Sequence, residues 1–261
     1  MIGSLKCFFW DRRRKDSLKT FAKQQKEQPM YTFLYQQDLS VPPEQNWVEA
    51  HPEYLKDGVL CAKENGCSLL IRNWMALGFM IPQHMRGKIP PLSRDAVLNL
   101  ADLLLYPELP GLSISIHLPA SQIIGLDALY RLCNLKTLCL ASERIPEFHL
   151  DVSQLGALEN LSLCKYSPAI ANIDKAGSLK NLIIYAYPRE NLQEFANLAK
   201  LQDLRVYHSR LQSLDGIENL TALEYLDIAY AQHLHDISAL DRLETKRPIA
   251  KVILPKKFKR K

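Results

Sequence analysis

One spacing constrains this chain more than any other feature. The pattern Leu-x-x-Leu-x-aliphatic recurs as Leu135-Lys136-Thr137-Leu138-Cys139-Leu140, Leu158-Glu159-Asn160-Leu161-Ser162-Leu163, Leu179-Lys180-Asn181-Leu182-Ile183-Ile184, Leu201-Gln202-Asp203-Leu204-Arg205-Val206 and Leu223-Glu224-Tyr225-Leu226-Asp227-Ile228. The copies start at 135, 158, 179, 201 and 223, so the steps are 23, 21, 22 and 22 residues. Alternation of apolar and polar residues marks a strand with one face turned to the core. A unit of this size cannot bury that face alone, so successive units must stack into a coil with parallel strands.

The rest of the chain frames that coil. Hydrophobic residues make up 47% of the 261 and charged residues 23%, ordinary values for a packed globular chain. No apolar run reaches the roughly 18 residues a membrane-spanning helix needs. Near the start, Phe8-Phe9-Trp10 precedes Arg12-Arg13-Arg14-Lys15, the reverse of a secretory signal, so a cytoplasmic location is expected. Residues 1–29 hold eight Lys/Arg against three acids, and residues 246–261 hold eight against none. Because the whole chain is +5, the ends at +5 and +8 leave −8 for the stretch between them. An acidic body is a poor match to a phosphate backbone, so no specific nucleic-acid partner is expected. The basic ends suit at most weak contact with RNA or an anionic membrane. The six cysteines, in a chain neither small nor visibly secreted, read as free apolar fillers.

Read in order, residues 1–29 are a basic leader in which Asp16 could cap a short helix with Leu18, Phe21 and Ala22. Glu44 to Ala50 reads as a short helix carrying Trp47 and Val48. Asn65-Gly66 between two apolar-rich runs, Gly58–Glu64 and Cys67–Arg72, signals a hairpin. A further helix is expected from about Asn73 with Trp74, Met75 and Leu77, then a loop from Pro82 to Pro91. Ser93 should cap an amphipathic helix over 93–106 bearing Val97, Leu100, Ala101 and Leu104. Residues 30–106 are thus expected to form a subdomain that closes one end of the stack, since an open array exposes core leucines and a bare strand edge. The repeats occupy 107–255, from a degenerate copy at Leu109 to Ile249-Ala-Lys-Val252-Ile-Leu254. Residues 256–261 are expected to be a disordered basic tail.

These repeats resemble the short leucine-rich repeats of the internalin type. The fullest match is Leu201, Leu204, Val206, Ser209, Leu211, Leu214, Gly216, Ile217, Leu220 and Leu223, and the resemblance covers about residues 109–254. It implies an α/β fold: a leucine-rich repeat solenoid, a curved parallel sheet, with a small N-terminal α+β capping subdomain. One departure stands out. The family places Asn three residues after the last strand aliphatic, where its side chain satisfies buried backbone groups. Here Glu143, Tyr166, Tyr187, Ser209 and Ala231 occupy that position, so irregular middle turns are expected.

With the leucines inward, alternate strand residues form three rows on the hollow face. They read Thr137, Asn160, Asn181, Asp203, Tyr225; then Cys139, Ser162, Ile183, Arg205, Asp227; then Ala141, Cys164, Tyr185, Tyr207, Ala229. The N-terminal half is small and neutral. The C-terminal half gathers Tyr185, Asp203, Arg205, Tyr207, Tyr225 and Asp227, with Tyr187 at the rim. Tyr and Arg are enriched in binding hot spots because each couples a large contact area to a polar end. The competing reading is that Arg205 only pairs with Asp203 or Asp227 and the tyrosines only cover the sheet.

Other constellations are thin. His233, His235 and Asp236 share a return loop, and Cys61 and Cys67 with His51 or His84 lack structural-zinc spacing. Asn160-Leu-Ser162 and Asn219-Leu-Thr221 match the glycosylation sequon, which a cytoplasmic chain does not use. No phosphate-cradling glycine loop, HExxH or GxSxG is present, so no cofactor or metal is expected. The sequence therefore points to a monomeric, non-enzymatic scaffold of bacterial type that binds another protein as adaptor, regulator or immunity-type inhibitor. The alternative is an effector in which 30–106 acts while the repeats select the target.

Overall fold

The computed structural model describes residues 33–36, 42, 45–72, 96–115, 122–140 and 149–258, all within the compact unit Thr32–Lys261. For Phe33–Gln36, Arg72 and Ser115 only the backbone is described. The expected leader helix, the helix from Asn73, the loop from Pro82, the Ser93 cap, and the positions of Ala141, Glu143 and His84 lie outside those residues.

The elements run β1 (Phe33–Gln36), β2 (Trp47–Ala50), α1 (Leu55–Asn65), β3 (Ser68–Arg72), β4 (Leu98–Asn99), β5 (Gly111–Ser115), β6 (Ile123–Ile124), β7 (Thr137–Leu140), β8 (Leu150–Asp151), β9 (Asn160–Leu163), β10 (Ile170–Ala171), β11 (Asn181–Tyr185), β12 (Asp203–Tyr207), β13 (Tyr225–Ala229), α2 (Ser238–Glu244) and β14 (Lys251–Ile253). Ten strands form one sheet in the order β1-β2-β3-β5-β7-β9-β11-β12-β13-β14. β1 is antiparallel to β2, and every other neighbouring pair is parallel.

The repeat dictates this arrangement at the level of single bonds. In the repeats starting at Leu135, Leu158, Leu179 and Leu201 the carbonyl two residues before the motif's second Leu receives two N–H groups from the next unit. Lys136 O accepts from Glu159 N and Asn160 N (both 2.9 Å), Glu159 O from Lys180 N and Asn181 N (2.8 and 2.9 Å), and Lys180 O from Gln202 N and Asp203 N (2.7 and 3.0 Å). The register is thereby locked, and Leu138, Leu161, Leu182, Leu204 and Leu226 stand level with one another. All five are buried, and the unit from Leu201 to Leu220 also buries Val206, Leu211, Leu214 and Ile217 completely. A fully buried aliphatic of this size contributes about 1.5–3 kcal/mol. The chain returns through single 3-10 turns at Val152–Gln154, Ile173–Lys175, Gln193–Phe195 and Ile217–Asn219, each ending just before the next motif.

Several local expectations are corrected. Trp47–Ala50 is a strand, with Val48 and Ala50 turned to the core and Trp47 and Glu49 away from it. Helix α1 replaces the expected hairpin. Gly66 adopts the left-handed conformation (φ 66°) and its N–H reaches Ala62 O and Lys63 O, so it caps the helix rather than turning a hairpin. β3 then runs parallel to β2. Over 98–105 the chain forms β4 and a 3-10 turn in place of a long helix. Asn99 caps that turn through its side-chain oxygen, and Val97, expected inside, is exposed. β3 pairs directly with β5, so the described strands on either side of residue 107 belong to one sheet. Beyond β14, Lys256–Phe258 forms a 3-10 turn and Phe258 packs on the core, in place of the expected disorder at those three positions.

Four of the five positions that lack the Asn lie among the described residues. Tyr166, Tyr187, Ser209 and Ala231 all point inward and are buried. Among the described residues Tyr187 is the largest fully buried side chain, with Tyr166 edge-on to it at 5.2 Å between ring centroids and Phe195 tilted against it at 5.3 Å. Glu194 satisfies the two tyrosine hydroxyls, accepting hydrogen bonds from Tyr166 Oη (2.8 Å) and Tyr187 Oη (3.0 Å). At the next turn nothing equivalent appears, and Ser209 Oγ is buried with no hydrogen-bond partner.

Candidate binding face

The side chains that alternate with the core leucines line up as the repeat requires. Thr137, Asn160, Asn181, Asp203, Tyr225 and Lys251 are successive register partners, as are Cys139, Ser162, Ile183, Arg205, Asp227 and Ile253. Tyr185, Tyr207 and Ala229 begin the third row at its C-terminal end. In the N-terminal half the first row is an amide ladder: Asn160 Nδ2 donates to Thr137 Oγ1 (3.1 Å), and Asn181 Nδ2 donates to Asn160 Oδ1. These polar groups satisfy one another, which leaves little for a partner. Farther out, a Cβ on Gly111 would lie 3.2 Å from Trp47 Cη2 and 2.6 Å from Ser68 Oγ, so the indole crosses that strand closely.

The C-terminal half is different. Arg205 grips Asp203 through two parallel bonds, Nε to Oδ1 at 2.9 Å and Nη2 to Oδ2 at 2.6 Å. The hydrogen bonds to Asp203 hold the guanidinium's proton more tightly than usual, so its charge is permanent. Its Cζ lies 4.6 Å from the centroid of the Tyr225 ring, and Lys251 Nζ lies 5.2 Å from the same centroid. Both contacts are cation–π distances. Tyr207 donates from Oη to Asp227 Oδ2 at 2.9 Å, and its ring is tilted against Tyr185 at 4.8 Å.

Asp227 is only 9% exposed, and its Oδ1 is buried with no hydrogen-bond partner. Burial pushes its carboxyl above the usual carboxylate range, partly offset by the Tyr207 hydrogen bond and the nearby Arg205 charge. Burial, then the Asp227 carboxylate, raises both the Tyr207 and the Tyr225 hydroxyls, so these tyrosines stay neutral donors.

Of the seven residues singled out from the sequence, Tyr185, Asp203, Arg205, Tyr207, Tyr225 and Asp227 share one patch. Tyr187 does not, and the expectation that it sits at the rim is corrected. Three positions after its strand's last core aliphatic, it turns inward and serves the core. The sequence reading also missed His208 and Tyr230. Both are exposed at the border of the patch, with rings stacked at 4.5 Å and 2° between planes. A signal for them existed, since Ala186, His208 and Tyr230 follow β11, β12 and β13 at the 22-residue spacing. Lys251, read only as part of the end cap, joins the patch through Tyr225.

Elsewhere chemistry is sparse. A shallow groove bordered by Tyr166, Pro168, Pro188, Arg189 and Glu194 lies in a return segment, away from the patch. Among the described residues no group of three or more His, Cys, Asp or Glu is placed to hold a metal ion. No helix among them is long and apolar enough to cross a membrane.

Repeats of 21–23 residues, each a core-facing Leu-x-x-Leu-x-aliphatic strand followed by a tight return, make this a leucine-rich repeat solenoid. No protein-family model matches the sequence, and no curated protein matches it. Among solved structures it is similar to an internalin (inlF) from Listeria monocytogenes, with 18% identity, 77% of this chain and 56% of that one covered, and a TM-score of 0.49. A leucine-rich repeat protein from Leptospira interrogans aligns at 17% identity over 80% of this chain and 55% of its own, also with a TM-score of 0.49. An internalin C2 (inlC2) from Listeria monocytogenes shares 17% identity over 61% of this chain and 77% of its own, with a TM-score of 0.38. The chain thus spans little more than half the length of the first two. What its face offers a partner is set by its own residues.

Proposed function

We propose that this chain is a non-enzymatic scaffold that binds another protein through the C-terminal half of the open face, as an adaptor, regulator or immunity-type inhibitor. The observation that carries this reading is the concentration of Tyr185, Tyr207 and Tyr225 with Asp203, Arg205 and Asp227 at adjoining register positions of β11, β12 and β13. Large side chains with polar ends, half-buried and held in place by their neighbours, lose little freedom when a partner arrives. The internal pairs also support the competing reading, in which the cluster only covers the sheet. Three features favour binding: an exposed Tyr230, a stacked His208, and a carboxylate oxygen left unsatisfied within the patch. The described part of 30–106 adds strands to the same sheet, so the reading in which that segment acts alone gains no separate feature from it.

The test is affinity purification from the native cell with tagged wild-type chain beside the Arg205→Ala/Tyr207→Ala double variant. The wild type is expected to retain a specific protein that the variant loses, with affinity lower by at least ~2 kcal/mol, while the variant, less stable for want of the Tyr207–Asp227 and Arg205–Asp203 pairs, still melts cooperatively above the assay temperature. Equal recovery by the two would remove the site.

A further inference from the structure

The core loses its cover at one end of the sheet. One core-facing row runs from Val48 on β2 through Leu138 and Leu182 to Leu226 on β13, and every member is at most 1% exposed. The next member, Val252 on β14, is only half-buried, as is Leu254 two residues on. Lys251 N–H donates to Glu224 O at 3.1 Å, so in this parallel ladder the N–H and C=O of Val252 point away from β13. β14 pairs with β13 alone, and among the described residues nothing bonds that outward pair. An edge with free backbone groups and half-covered apolar side chains is a template for another strand.

The charge around this edge selects which strand. Residues 246–261 carry eight Lys/Arg and no acid. Arg247 is engaged by Glu224 at 3.3 Å and Lys257 Nζ by Gln232 O at 3.0 Å. Lys246, Lys251 and Lys256 are exposed and form no ion pair among the described residues; Lys251 Nζ only lies 5.2 Å from the Tyr225 ring centroid. Lysine on an edge strand is a known device against unwanted pairing, and here it acts against a second copy. Joining β14 to β14 would set Lys251, Lys256 and Lys257 against their like, whereas the same charges attract an acidic strand.

Resting on the scaffold reading for the presence of a partner, we infer that β14 receives an extended acidic segment of that protein as a further strand of the sheet. Its backbone bonds the outward N–H and C=O of Val252. Alternation then fixes its side chains, whichever way it runs. The residues beside Val252 and Leu254 are aliphatic and close the core rows. The residue beside Lys251 is Asp or Glu and lies on the open side, where it extends the row that ends in Tyr225 and Lys251. Acids at its two ends are favoured by Lys246 and Lys256, which flank β14 in the chain.

The experiment selects random peptides displayed on phage against the full chain, with counter-selection on Val252→Pro. Proline there removes the outward N–H and leaves the bonds to β13 in place. Selected peptides should alternate acids with aliphatics, and methylating their backbone nitrogens should weaken binding by about tenfold or more. Lys251→Glu, which keeps the edge intact, should weaken the same peptides and favour versions with Lys in place of their acids. Enrichment of basic peptides, or of none, overturns the inference. So does acidic enrichment without alternation, or binding that survives N-methylation, since either marks a charge patch open to any polyanion, RNA included. Dimerisation of the full chain that Val252→Pro abolishes would give the edge to a second copy and overturns it too. A cellular partner that loses the Arg205/Tyr207 double variant yet binds Val252→Pro at full strength sinks the added strand alone. A partner that ignores the double variant but is lost by Val252→Pro sinks the proposed site on the open face and leaves the edge standing.

Discussion

Tyr207 Oη donates a 2.9 Å hydrogen bond to Asp227 Oδ2 from the neighbouring strand, and it is the one hydrogen bond that this carboxylate receives among the described residues. The pair is lopsided. Burial penalises the ionised form of Asp227 more than the hydroxyl and the nearby cations favour it, so the folded state holds the proton above the ordinary value of 3.8. A raised carboxylate value means that the folded chain binds more protons than the unfolded one in the window just above 3.8. Stability from this group is therefore fully present below that value and is lost as pH rises through the folded one.

Asp227→Asn should consequently stabilise the chain at pH 7, by about 1 kcal/mol, because a neutral amide is cheaper to bury than a carboxylate with an idle oxygen. The gain should shrink as the pH falls, because the folded carboxyl takes up its proton above the ordinary value of 3.8. Urea denaturation of both proteins at pH 7 and pH 4 measures this. A variant that is less stable at pH 7 would show that the carboxylate has a partner after all.

Tyr207→Phe removes the hydroxyl and leaves both oxygens of Asp227 unsatisfied. The expected cost at neutral pH is about 1–3 kcal/mol, since stripping the partner from a buried charged group exposes its desolvation penalty. In the Asp227→Asn background the same change should cost well under half as much. A double-mutant cycle reads this coupling directly. Strict additivity would mean that the two side chains do not depend on each other.

Tyr187 tests the boundary between core and face. Its hydroxyl reaches Glu194 Oε2 at 3.0 Å and its ring is fully enclosed. Tyr187→Phe should cost about 1 kcal/mol for the lost hydrogen bond, and Tyr187→Ala about 3–5 kcal/mol for the cavity. Neither should alter affinity for a partner as long as the protein remains folded. Loss of binding in a stable Tyr187→Phe would return this residue to the functional patch.

The coil was legible because leucines at a 22-residue spacing leave few alternatives, and the strand register follows from them residue by residue. The first turns were not, for physical reasons that can be named. Trp47–Ala50 alternates inward and outward over only four residues, too short for the period to separate a strand from a helix among good helix formers such as Glu44, Gln45, Glu49 and Ala50. Asn65-Gly66 misled because a left-handed residue serves a hairpin turn and a helix cap equally. On the face, the positions of six of the seven candidate residues were readable from alternation alone. Tyr187 was not, since beyond the strand's end alternation ceases to say which way a side chain turns. Nor does any pattern reveal that one oxygen of Asp227 is left unsatisfied, because that depends on how two tyrosines and an arginine close over it.

The last prediction concerns the positions just past those strands. Ala186, His208 and Tyr230 adopt φ of 56°, 52° and 59°, a left-handed conformation that costs an L-residue with a Cβ about 1–2 kcal/mol. His208 and Tyr230 recover part of that by stacking on each other, a contact worth about 0.5–1.5 kcal/mol. Ala186 has no ring to stack. Ala186→Gly should therefore raise stability by about 0.5–1 kcal/mol, the strain relieved being larger than the entropy lost to a freer unfolded chain. His208→Gly relieves the same strain but surrenders the stack, so its net change should lie near zero. If the stacked pair borders the partner site, as its position beside Tyr185 and Tyr207 suggests, His208→Gly should weaken binding while Ala186→Gly leaves it alone. Thermal melts of the two glycine variants, run beside partner titrations, separate backbone strain from surface recognition. Equal stability gains with unchanged binding in both would assign the rings no role beyond covering the turn.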